Sequence, residues 1–177
     1  MGIFERLGLF KAASQDAVIS ESEAVRKIAA ALEHLEPERA RFLAGFAYVL
    51  GRVAHADLEI TDDEVATMER LVREHGGLDD EAARLTVEIA RHQSQLFGAT
   101  QNYIATREFE RAATREQKVA LLHCAFAVAA AGGAVSIAES NVLRQIADEL
   151  KLDHRDYADA RSVFRSSLGV LRRPEKS

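Results

Sequence analysis

Apolar residues recur every three or four positions along almost the whole chain, a spacing that suits the α-helix and not the strand. Val25, Ile28, Ala29, Leu32 and Leu35 make one stripe, and Phe42, Phe46, Val49, Leu50 and Val53 the next. Val65, Met68, Leu71 and Val72 follow, then Leu85, Ile89, His92 and Leu96. Val119, Leu122 and Phe126 make another, and Leu143, Ile146, Ala147 and Leu150 a further one. Phe164, Leu168 and Leu171 close the series. No short run of alternating β-branched residues competes with them. With 2 prolines in 177 residues, little in the chain interrupts a helix. The expected fold is all-α, a compact bundle of about seven to nine helices.

Start and stop signals fall where the stripes need them. Ser20 with Glu23, Thr61 with Glu64, Thr114 with Gln117, and Ser136 with Glu139 each match a capping box. Asp79, Thr100 and Asp153 are further N-cap candidates, and Pro37 suits a first helical turn. Gly76-Gly77 and Gly132-Gly133 are natural stops.

The chain also corresponds to itself without a gap at an offset of 75 residues, 53–72 over 128–147. Val53 falls on Val128, Ala56 on Ala131, Ile60 on Val135, Thr61 on Ser136, Glu64 on Glu139 and Met68 on Leu143. This predicts two pseudo-repeated helix–loop–helix units packed through their apolar faces about a pseudo-twofold axis. Residues 20–171 are read as one domain built on them. Residues 1–19 are read as an amphipathic N-terminal segment, in which Ile3, Phe4, Leu7 and Phe10 share a face. That face is expected to dock on the protein's own core, with a peripheral membrane contact by residues 1–11 as the alternative. Residues 172–177, with Arg172, Arg173 and Lys176, are read as a basic disordered tail.

Composition narrows the function classes. A net charge of 23 − 28 = −5 offers no basic patch for a phosphate backbone, so nucleic acid is not an expected partner. Cys124 is the one cysteine; no intrachain disulfide forms, and a reducing, cytoplasmic setting is expected. It lies in an apolar run and reads as a buried small hydrophobe. Residues 119–138 carry no charge, nearly the length of a bilayer span. They are nonetheless rich in alanine, contain His123, Gly132 and Gly133, and include a helix start at Ser136, so a buried helix and a turn are expected instead. His92, on an apolar stripe, is read as a hydrogen-bonded core histidine. No zinc-protease, di-iron, phosphate-loop, dinucleotide or serine-elbow motif is present, and the protein is expected not to be an enzyme.

The feature that capping leaves unexplained is HADLEITDDE, residues 55–64, with five carboxylates and no lysine or arginine. Thr61 and Glu64 have counterparts in Ser136 and Glu139, and helix capping accounts for both pairs. Asp57 and Glu59 do not, because Gly132 and Ala134 stand at their places in the second unit. Converging carboxylates must take up a proton, splay apart or hold a cation. Oxygen ligands point to Ca²⁺, Mg²⁺ or Mn²⁺, and a Zn²⁺ site recruiting His55 is the weaker variant. An EF-hand is excluded, since its glycine position would be Asp62 and its terminal glutamate Met68. The plainer alternative is a set of solvated acids complementing a helix N-terminus.

Ala56-Asp57-Leu58-Glu59-Ile60 followed by Glu64 resembles the A-D-G-E-I/V-x-x-x-E hallmark of the TerB tellurite-resistance family, which carries it twice. Leu58 replaces the usual glycine. The second copy, Ala131-Gly132-Gly133-Ala134-Val135 with Glu139, keeps the glycine and lacks the first two acids. The resemblance spans roughly residues 25–165. It implies a small all-helical bacterial domain linked to tellurite and other chemical stress, with a divalent cation held by Asp57, Glu59 and Glu64. The missing acids at Gly132 and Ala134 leave a second reading open: a metal-free module for an unknown protein partner.

Overall fold

The computed structural model describes residues 23–54, 62–92 and 102–165. Eight helices make up these residues: α1 (Glu23–Glu33), α2 (Pro37–Ala54), α3 (Asp62–Gly76) and α4 (Asp80–Arg91), then α5 (Asn102–Ala112), α6 (Arg115–Ala131), α7 (Ile137–Glu149) and α8 (His154–Val163). Among the described residues no strand occurs. The all-α fold is therefore as the periodicity predicts. Ser20, Thr61, Thr100, His55, Leu96, Leu168 and Leu171 lie outside the described residues, as do the segments 1–19 and 172–177.

Caps set the helix boundaries. Asp79 accepts from the Ala82 N–H at 2.8 Å to open α4. Thr114 and Gln117 close a reciprocal capping box at the start of α6, and Ser136 and Glu139 do the same for α7. At α8, Asp153 accepts from the N–H groups of Arg155 and Asp156, and the Asp156 carboxylate returns the bond. Each such cap contributes about 1 kcal/mol. α3 stops at Gly76, followed by Gly77 at φ +67°, and α6 gives way to Gly132 and then Gly133 at φ +120°. These positive φ angles are cheap only for glycine.

α2 is the central element. It packs against α1, α4, α5, α6 and α7, while α6 packs against α2, α3, α7 and α8. The periodic stripe Phe42, Phe46, Val49, Leu50, Val53 is buried as expected, but α2 is buried on its other faces too, through Ala40, Leu43, Ala44, Gly45, Ala47, Tyr48 and Gly51. A helix covered all round belongs to the interior. Its alanines and glycines let neighbours come close: Phe109 of α5 lies against Gly45, and Phe42, Phe46 and Phe109 form an aromatic cluster with centroids 5.2–6.1 Å apart. Phe126 of α6 contacts Tyr157 and stacks on Phe164, fixing α8.

The helical residues that correspond at the 75-residue offset fall in α2 and α3 and in α6 and α7. α3 and α7 begin at Asp62 and Ile137, and the first helix of each unit packs on the second helix of the other. No described helix is long and apolar enough to cross a membrane. Cys124 is fully buried in α6, and burial pushes its thiol up to about 12. His92 departs from expectation. It caps the C-terminus of α4, half-buried, with Nδ1 3.0 Å from the Glu88 carbonyl oxygen, so it is hydrogen-bonded but not a core residue. The periodic stripe runs on past it because periodicity does not register a helix stop.

Charged groups tie the helices where the core ends. Arg52 of α2 binds Glu149 of α7 and also donates to the buried Thr106 hydroxyl of α5 at 3.2 Å. Glu110 of α5 accepts from Lys118 of α6 at 3.0 Å and from Lys151, just beyond α7, at 3.2 Å.

Candidate functional site

The acidic stretch lies between the end of α2 at Ala54 and the first turn of α3. Of the three residues that the sequence nominates as ligands, Asp57 and Glu59 lie outside the described residues. Glu64 is described: it is surface-exposed in the first turn of α3, where its charge complements the helix dipole. Apolar periodicity puts it there, because Val65 and Met68 face inward from the same turns and leave Glu64 outside.

Asp62, the first residue of α3, is committed elsewhere. Its Oδ1 lies 2.8 Å from Nη2 of Arg91 at the end of α4, a pair that fastens the start of α3 to its neighbour. The Asp62 side chain is 88% exposed, so solvent screening holds the pair to about 1 kcal/mol or less. Asp62 thus has a guanidinium beside it. Sequence reasoning missed Arg91, since nothing in a one-dimensional pattern marks which of several exposed arginines reaches the stretch.

In the second unit the residues that correspond in sequence to the acidic stretch are described. Gly132, Gly133 and Ala134 are exposed, Val135 is buried as an apolar anchor, and Ser136 begins the next helix. The Ser136 N–H donates to Glu139 Oε2 at 2.7 Å, and the Glu139 N–H donates to Ser136 Oγ at 3.1 Å. Glu139 therefore acts as a cap in this loop. Among the described residues no group of three or more His, Cys, Asp or Glu side chains is placed to hold a metal ion.

Among the described residues these features define a small all-helical bundle domain, with an acidic sequence between α2 and α3 and a glycine-rich turn between α6 and α7. The family model described as "Tellurite resistance protein TerB" matches residues 42–162, well over half of the chain. The chain belongs to the TerB family. No curated protein and no solved structure matches it.

Proposed function

We propose that this protein is a non-enzymatic TerB domain that binds one divalent cation through Asp57, Glu59 and Glu64 and serves the response to tellurite or related chemical stress in the bacterial cytoplasm. The observation that carries the reading is the family match, which runs through the acidic junction. The donor set is all carboxylate, which suits a hard ion, Ca²⁺, Mg²⁺ or Mn²⁺, ahead of Zn²⁺. Exposure of Glu64 in the first turn of α3 fits an ion entering from solvent. The cation would neutralise the loop and fix its surface for a protein partner.

A second reading has support of its own: a metal-free interaction module with a vestigial cation loop. Asp62 is already paired with Arg91, and Glu139 is spent on capping Ser136. Titration calorimetry of metal-stripped protein with Ca²⁺, Mg²⁺, Mn²⁺ and Zn²⁺ separates the two. The cation reading expects saturable binding that disappears in the Asp57→Ala, Glu59→Ala double variant. A folded wild type that binds none of these ions at millimolar concentration would leave the interaction module standing.

A further inference from the structure

A second charged feature lies at the other end of α2. A groove of about 610 Å³ opens where the turn before α2 meets the end of α5 and the first turn of α6. That volume falls within the usual range for small-ligand sites. Three arginines line it, Arg39 and Arg41 from α2 and Arg111 from the last turn of α5. All three cations are guanidinium groups, whose planar fork matches the two oxygens of a carboxylate or phosphate.

Their states differ in an informative way. Arg39 is held in place, with its guanidinium 3.6 Å from Asp79 and 5.9 Å above the Phe42 ring. Arg41 is half-buried, and its Nε, shut off from solvent, has no hydrogen-bond partner among the described residues. A buried cationic donor without an acceptor is costly, and native structures seldom leave one without a reason. Gln117 supplies a further donor. Its Oε1 accepts from the Thr114 N–H at 2.8 Å, which orients the amide and leaves its NH₂ group as the part available to a ligand.

We propose that this groove binds the oxyanion group of a small ligand, a phosphate or carboxylate, with the Arg41 side chain shifting to bring its Nε to the ligand and Arg111 and Gln117 completing the cradle. Glu36 and Glu38 also line the groove and are exposed, which lowers its net charge to +1. They favour a compact single anion and repel polyanions such as nucleic acid. The inference is independent of the cation loop.

The test follows the Nε–Hε signals of arginine in the full chain by NMR during titration with sodium phosphate or sodium succinate, against sodium chloride at matched ionic strength. A saturable shift of the Arg41 signal with either anion, beyond the chloride control, is the expected result. Response to phosphate assigns the ligand to phosphorylated compounds, and response to succinate assigns it to carboxylates. Arg41→Gln is expected to weaken the titration seen at Arg111 at least tenfold, and Arg41→Lys, which keeps the charge but not the fork, to weaken it less. An Arg41 signal that follows both anions no further than chloride overturns the proposal in the wild type, whatever the variants do. Unchanged affinity in a folded Arg41→Gln variant would overturn it as well.

Discussion

Arg52 in the last turn of α2 and Glu149 at the end of α7 grip each other through both guanidinium amino groups, although 97 residues separate them in sequence. Their side chains are 12% and 16% exposed, so the pair sits largely out of water. Arg52 also reaches Thr106, and Glu149 accepts from Gln145 at 3.0 Å. Truncating one partner strands the other charge in a poorly solvated place. Arg52→Ala is expected to destabilise the protein by about 3 kcal/mol. Replacing both partners together, Arg52→Met with Glu149→Leu, should cost much less. Urea unfolding of Arg52→Ala, Glu149→Ala and the double variant checks this, and a double-variant loss equal to the sum of the two single losses would mean that the pair carries no such coupling.

A methyl group at Gly45 would meet the Phe109 Cβ at 2.7 Å, and both atoms belong to packed helices that have little room to move. Gly45→Ala is therefore expected to lose about 1–3 kcal/mol through overpacking between α2 and α5. Gly132→Ala is the matched control. Gly132 has φ −73°, and its nearest neighbour to an added Cβ is the Ala129 carbonyl oxygen at 3.8 Å. That change should be neutral or stabilising by about 0.5 kcal/mol. Thermal unfolding midpoints compare the two.

Glu110 gives the fold an acid limit. Burial alone would raise its carboxyl pKa, but the hydrogen bonds and charges of Lys118 and Lys151 more than reverse this and bring it below the ordinary value of 4.5. A carboxyl lowered in the folded state binds fewer protons there than in the unfolded chain. Its contribution is then complete above 4.5 and fades as pH falls through the lower folded value. Glu110→Gln should be less stable than wild type at neutral pH, and the gap should narrow as the pH is taken below 4.5. Urea midpoints measured across that range report it; a gap of constant size would dissociate the lysine contacts from the titration.

If the acids absent from the second unit are what deprives it of a cation, restoring them should create a site. Gly132 has an ordinary helical φ and open space around it, and Ala134 is exposed, so Gly132→Asp with Ala134→Glu can be made without forcing the backbone. Calorimetric stoichiometry is expected to rise from one divalent ion per chain to two. A value still at one would assign the difference between the loops to something other than these side chains.

The helices and their starts were legible because their signals are local. Ser136 and Glu139 bond each other three residues apart, and so do Thr114 and Gln117. The all-round burial of α2 was not legible, since Ala40, Ala44, Gly45, Ala47 and Gly51 carry too little side chain to register as an apolar face. Nor were the pairs Arg52–Glu149 and Asp62–Arg91, because a charge that will meet a distant partner looks the same in sequence as one left in water. For the acidic stretch, residue types and spacing name candidate ligands, while whether they converge depends on backbone geometry that apolar periodicity does not encode. The arginine groove escaped for a related reason: its cations come from positions 39, 41 and 111 and become neighbours only after folding.

The 18 residues of α2 span roughly 27 Å at the rise of an α-helix. Charge at physiological ionic strength is screened over about 8 Å. The Pro37 and Ala54 ends are thus electrically deaf to one another, and an ion near one end cannot alter affinity near the other through the field. Cross-talk would have to be mechanical, with a helix gripped by five neighbours shifting as a rod. So tightly held a rod keeps an event at one end from being felt at the other.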